Sequence, residues 1–201
     1  MSTLELEGVR ALRRGVLFLL LTPLLVFVAI AAIAGLAFAT AAKATAGFHR
    51  PFMIYGSAYV SSPAAISVIA AAALLSIVAL ILVLIAFSSL SSGFKSLAAA
   101  GKGGSVGVAG VLLVLVGAIV MIVGAMFAFV GGFVLIMVGT AIAIMGFILV
   151  GVGLIEVGTS YANGLLQAGG LLVAVPLLIS TFIGLILAYV GLGEIEAMLT
   201  S

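Results

Sequence analysis

The side chains most able to do chemistry lie close together near residue 160. Glu156 is the only acid between the N-terminal tail and the last few residues, and Tyr161 and Asn163 follow it closely. A carboxylate with hydroxyl and amide neighbours could bind a proton or an ion. The same side chains could instead form only the polar turn between two membrane spans. We favour the second interpretation, because Glu156 lies just beyond a long apolar run. An acid indicates function mainly when it lies well inside the hydrocarbon region of the membrane.

Other catalytic groups are scarce. The chain has one histidine, His49, and neither cysteine nor aspartate. A catalytic triad and a thiolate or histidine metal site therefore cannot be assembled. The sequence predicts a protein that is not an enzyme, with no metal ion and no cofactor.

The composition indicates an integral membrane protein. Of its 201 residues, 66% are hydrophobic and 6% are charged, and the mean hydropathy is +1.61. Soluble domains have about 25% charged residues. The formal net charge of +2 is too small and too dispersed for a nucleic-acid surface. The predicted partner is the lipid bilayer, with Lys95, Lys102 and Arg50 placed to contact lipid headgroups.

Charges and glycines divide the chain into five apolar runs, each about the length of one membrane crossing. They predict an all-α helix bundle that forms a single transmembrane domain. The predicted spans are residues 15–40, 61–87, 106–129, 133–155 and 169–193. A short amphipathic surface helix, ending near Gly101, is predicted after the second span.

An odd number of spans places the two termini on opposite faces of the membrane. The basic residues then divide five to two: Arg10, Arg13, Arg14, Lys95 and Lys102 on one face, Lys43 and Arg50 on the other. This excess favours a cytoplasmic N-terminus and a C-terminus outside the cell membrane.

Glycine recurs at every seventh position in the third and fourth predicted spans. The positions are Gly110, Gly117, Gly124 and Gly131, then Gly132, Gly139, Gly146 and Gly153. A seven-residue repeat keeps one helix face towards a partner. Glycine on that face lets two helices approach closely in lipid. We therefore predict tight antiparallel packing between sequential helices.

A second regularity is an offset of 60 residues. Its clearest part aligns residues 128–131 with residues 188–191. If it is a true duplication, two hairpins of the same orientation would follow one another, as in some transporters. Apolar sequence of low complexity also produces such matches by chance, so both explanations stay open.

Four short motifs carry a resemblance to a known family. They are LELEGVRALRRG at residues 4–15, GFKSL at residues 93–97, YANGLL at residues 161–166 and YVGLGEI at residues 189–195. With these motifs the chain resembles an uncharacterised family of archaeal multi-pass membrane proteins, a domain-of-unknown-function family. The resemblance implies a five-span archaeal membrane protein and supplies no activity, substrate or catalytic residue.

Two classes of function fit these observations. The favoured one is a structural or assembly role, in which the protein forms a homo-oligomer or serves as a small subunit of a larger membrane complex. The glycine faces support it, because they exceed what one five-helix bundle obviously needs. The alternative is a channel or carrier for a small neutral solute, suggested by the possible repeat and by Pro23 and Pro176 inside predicted spans.

Overall fold

The computed structural model of the protein describes residues 3–46, 63–127, 132–175 and 177–201. Within these ranges the chain forms six α-helices and no strand. They are α1 Thr3–Ala46, α2 Pro63–Ala99, α3 Ser105–Met126, α4 Phe133–Ser160, α5 Gly164–Ala174 and α6 Leu178–Thr200. All except α5 contain a stretch that is long and apolar enough to cross a membrane. The predicted all-α class with about five spanning helices is confirmed, and it indicates a multi-pass membrane protein.

The chain divides into two compact units. The first unit consists of Met1–Leu20 and Leu84–Ser201, and therefore holds all of α3 to α6. The second unit, Leu21–Val83, holds the remaining parts of α1 and α2. Among the second unit's described side chains, only three are buried, and all three are alanines: Ala29, Ala72 and Ala79.

In the first unit, α3 and α4 lie antiparallel with their backbones close together. The glycines at this contact are Gly110, Gly117 and Gly124 on α3, Gly132 immediately before α4, and Gly139, Gly146 and Gly153 on α4. A Cβ atom on Gly117 would lie only 2.6 Å from the backbone nitrogen of Ala143. One on Gly139 would lie 2.7 Å from the carbonyl oxygen of Gly117. Gly131, which the spacing groups with these glycines, lies outside the described residues.

The predicted fifth span, residues 169–193, is wrong as a single helix. The chain runs along α5, turns at residues 175–177 and returns as α6. The two helices are antiparallel neighbours, since a Cβ on Gly169 would lie 2.7 Å from the backbone nitrogen of Ala188. With 11 residues, α5 rises about 16 Å, roughly half the thickness of the hydrocarbon core.

Hydroxyl groups compensate the break between α5 and α6. The Ser180 hydroxyl lies 2.9 Å from the carbonyl oxygens of both Val175 and Leu177, and Thr181 donates to Val175 at 3.4 Å. Serine and threonine commonly satisfy backbone groups that a helix break frees inside a membrane. Pro176 itself lies outside the described residues.

The extra half-length helix also reverses the direction of the chain. The Nε of Arg10 donates to Glu196 at 2.8 Å, and the Nη1 of Arg13 donates to the same carboxylate at 2.9 Å. The start of α1 and the end of α6 therefore lie at the same end of the first unit. The sequence predicted termini on opposite faces of the membrane, whereas these two helix ends lie together in the first unit; which membrane face each terminus occupies stays a prediction.

The second predicted span and the surface helix after it form one continuous helix. Instead of ending at residue 87, α2 continues to Ala99. It continues because Leu90, Phe94 and Leu97 are fully buried in the first unit, so the amphipathic stretch packs on protein and not on a membrane surface.

The 60-residue offset is not reflected in the helices. It aligns residues 105–126, which form the unbroken helix α3, with residues 165–186, which the chain interrupts at residues 175–177. The second hairpin therefore differs from the first in the position of its turn.

We expect Gly117→Ala to destabilise the protein by about 1–3 kcal/mol, because the added methyl group would overlap the backbone of α4. Gly193→Ala is the matched control. Its Cβ would lie 3.4 Å from the flexible Arg13 side chain, an ordinary contact, so stability should change little. Denaturant titration in detergent micelles measures both. Equal stability of the two variants would contradict the backbone-close packing of α3 and α4.

Candidate functional site

Most charged side chains of the first unit collect at one end, here called the polar end. Its main polar residues are Arg10, Arg13, Arg14, Lys95, Lys102, Glu156, Tyr161, Asn163, Glu194 and Glu196. The helices bring these residues together because α1, α3 and α5 begin at this end and α2, α4 and α6 finish there.

Large apolar side chains form a dense core at the same end. The fully buried ones are Val9, Leu12, Val16, Leu90, Phe94, Leu97, Val111, Leu154, Val157, Leu166, Leu192 and Ile195. Phe94 is central, since a Cβ on Gly107 would lie 2.7 Å from its ring. This core fixes the helix ends that carry the polar side chains.

Glu156 fastens α4 to the loop between α2 and α3. The backbone N–H of Gly104 donates to Glu156 Oε2 at 2.9 Å. Gly104 has a φ of +91°, a conformation that glycine adopts readily, and it immediately precedes α3. A carboxylate here compensates the unpaired N–H groups at the start of a helix. Among the described residues Glu156 forms no ion pair with Lys95 or Lys102.

Asn163 joins the loop after α4 to α6. Its Oδ1 accepts a hydrogen bond from the Leu166 backbone N–H at 2.8 Å, which caps α5. Its Nδ2 donates to the Glu194 carboxylate at 2.9 Å and lies 3.5 Å from the Gly191 carbonyl oxygen. The residue is only 7% exposed, so each of these partners replaces water that the amide has lost.

Arg13 and Glu196 join α1 to α6. The Glu196 carboxylate binds both Arg10 and Arg13. The Arg13 guanidinium also lies 4.8 Å from the centroid of the Tyr189 ring, within the range of a cation–π contact. Its Nε is buried and has no hydrogen-bond partner in the described part of the chain.

Tyr161 and Lys102 form a looser contact. The Lys102 Nζ lies 5.2 Å from the centroid of the Tyr161 ring. The Tyr161 hydroxyl is buried without a hydrogen-bond partner among the described residues. Burial, and to a lesser extent the negative charge of Glu5, raises the pKa of Tyr161 to about 12. This phenol therefore stays neutral near pH 7.

Lys95 borders a groove of about 480 Å³ between α2 and α3. The groove is lined by Leu84, Phe87, Ser88, Ser91, Ser92, Lys95, Ser96 and Leu115. Arg50, the third residue predicted to contact lipid headgroups, lies outside the described residues, as does His49.

The structure brings Glu156, Tyr161 and Asn163 to one end but gives each its own partner. Glu156 and Asn163 both hold helix ends in place. No group of three or more potential metal-ligating side chains occurs within the described ranges. Sequence reasoning missed Arg13, Tyr189, Glu194 and Glu196, although the acids near the C-terminus match the arginines near the N-terminus in charge.

Comparison with known protein families identifies the family of the chain. A family model described as "Protein of unknown function (DUF973)" matches residues 5–201. No curated protein and no solved structure matches the chain significantly. The family match covers almost the whole chain and carries no activity.

We expect Glu156→Ala to destabilise the protein by about 1–2 kcal/mol, because the Gly104 N–H would lose its acceptor. Glu156→Gln should retain most of the stability, since an amide oxygen also accepts a hydrogen bond. Denaturant titration of the two variants in micelles is the measurement. Equal losses would show that the charge matters and the hydrogen bond does not.

A second test addresses the Asn163–Glu194 contact. Aspartate caps helices as well as asparagine does, but in Asn163→Asp a buried carboxylate would face the exposed carboxylate of Glu194. We expect a loss of about 1–2 kcal/mol. Adding Glu194→Gln should restore stability, because the new amide can donate to Asp. Failure of the double variant to recover would show that the Glu194 contact does not hold α6.

Proposed function

The chain belongs to this family of unknown function, and we propose that it is a membrane assembly protein. In this role it associates with further copies of itself, or it serves as a small subunit of a larger membrane complex. The observation that supports the proposal is an open face of small residues on α1, in the second unit.

This face of α1 contains Ala31 and Gly35, one helical turn apart. They lie on the side of α1 opposite the buried Ala29, because two and six residues correspond to rotations of about 200° and 240°. A Cβ on Gly35 would meet nothing within 4 Å in the described part of the chain. Most other glycines within the described helices closely face a neighbouring helix.

Small residues one turn apart are a common contact between membrane helices, because they let two backbones approach closely. Large side chains continue the same face towards the start of α1, with Leu24 59% and Phe27 70% exposed. Ala31 and Gly35 therefore form the part of this face where a second backbone could approach most closely. A helix of a second copy fits such a surface.

The glycines of α3 and α4 do not add to this support. They face each other inside the first unit. They therefore account for packing within one chain and are not available for contact with a second copy. The support for association therefore moves from the glycine repeat to Ala31 and Gly35.

The alternative of a channel or carrier has less support. It drew on open carbonyl groups at a proline break, but the carbonyl oxygens of Val175 and Leu177 at the break after α5 already accept from Ser180, and Val175 also accepts from Thr181. The two grooves at the polar end open outwards. We therefore retain assembly as the proposed function.

Gly35→Leu should weaken self-association at least about tenfold, a change of about 1.4 kcal/mol. The natural chain has no cysteine, so a Ser201→Cys variant accepts one donor or acceptor dye. Energy transfer between labelled copies in liposomes, measured against the protein-to-lipid ratio, gives the dimer affinity. Ala141→Leu, which introduces the same side chain at an exposed position of α4, is the control and should leave the affinity unchanged.

Cysteine cross-linking locates the contact directly. A single cysteine at Ala31 should cross-link two copies in the bilayer, whereas one at Ala141 should not. If the protein is monomeric at every protein-to-lipid ratio, self-association is wrong. If the Ala141 variant cross-links more than the Ala31 variant, α1 is not the contact.

A further inference from the structure

A second groove at the polar end has a different chemistry from the one beside Lys95. Its volume is about 360 Å³. It is lined by Arg10, Arg13, Arg14, Leu17, Tyr189 and Glu196, all within the first unit. Three guanidinium groups therefore surround a single carboxylate.

The charges in this groove do not cancel. Glu196 accepts from Arg10 Nε and Arg13 Nη1, which uses one donor nitrogen of each guanidinium group. Arg14 is exposed and has no partner in the described part of the chain. The Nε of Arg13 is buried without a partner there. Two of the three positive charges thus have no counter-charge, and a planar arginine donor set suits phosphate oxygens.

The groove is also graded from polar to apolar along the helix axis. On α1, Leu17 lies about one turn beyond Arg13 and Arg14 and is 36% exposed. On α6, Tyr189 lies two turns from Glu196, again on the side of the long apolar stretch. Arginine at the membrane boundary with tyrosine and leucine beneath it is the order in which a phospholipid presents its phosphate and acyl chains.

We propose that this groove binds an anionic phospholipid, with its phosphate on Arg10, Arg13 and Arg14 and its acyl chains along Leu17 and Tyr189. The site is distinct from the predicted headgroup contacts of Lys95 and Lys102. Only one cation lines the serine-rich groove, whereas three line this one. The proposal is independent of self-association through α1.

Arg14 is the residue to change, because it lines the groove without holding α1 to α6. Phosphatidylglycerol and phosphatidylcholine serve as the anionic and zwitterionic probes, titrated into the detergent-solubilised full chain and followed by native mass spectrometry. Wild type should prefer phosphatidylglycerol. Arg14→Gln should lower that preference about fivefold, the usual effect of one arginine near an anionic membrane surface. Arg14→Lys should keep most of it.

Lys95→Gln is the control, since it removes one exposed cation from the same end but from the other groove. Because only one cation lines that groove, Lys95→Gln should lose clearly less preference for phosphatidylglycerol than Arg14→Gln, and both variants should retain the wild-type unfolding midpoint. The proposal is overturned if Arg14→Gln binds like wild type, or if Lys95→Gln loses as much. Inorganic phosphate is the remaining probe. If it displaces phosphatidylglycerol at equal concentration, the ligand is a free anion and not a lipid.

Discussion

The structure depends above all on how closely two helix backbones can approach inside lipid. Lipid chains are as apolar as leucine, so large side chains between helices gain little there, and close backbone contact has to supply the attraction. The α3–α4 pair achieves this with Gly117 and Gly139 on opposite sides of one contact. A methyl group at either position would meet backbone atoms, which cannot rotate away. The helix spacing is therefore set by the main chain itself, and the ends of both helices follow from it.

At the polar end the same helices pack by another rule. Water is close there, so burying Phe94 and Leu154 is favourable in the ordinary way, and the interior is made of large side chains. Polar contacts around this core link one helix to the next: Glu156 holds the α3 loop, Asn163 holds α6, and Glu196 holds α1. The bundle thus combines glycine contacts along α3 and α4 with a core of large apolar side chains at its polar end, where the hydrophobic effect operates. The polar side chains around that core link the helix ends.

The sequence predicted the helical class and the five long apolar helices, because hydropathy and length suffice for both. It placed Glu156 at a helix end but not against Gly104, since no local pattern encodes a partner 52 residues away. The break between α5 and α6 escaped prediction although Pro176 was noted inside the span, because a proline in a membrane helix more often produces a kink and no polar gap separates the two halves. Without this break, the predicted chain ends at the opposite end of the bundle from the start of α1. The pairing of Arg13 with Glu196 was therefore not predicted either.

The half-length of α5 constrains how this part of the chain enters a membrane. With 11 residues it is too short to cross alone, and the Val175 carbonyl oxygen, which accepts from the Leu177 N–H, gains the hydroxyl donors Ser180 and Thr181 only when α6 lies beside it. In contrast, α6 is long and apolar enough to insert independently. The later helix must therefore enter first or together with the earlier one. Here the order of insertion cannot simply repeat the order of synthesis, and the last two helices fold as one cooperative element.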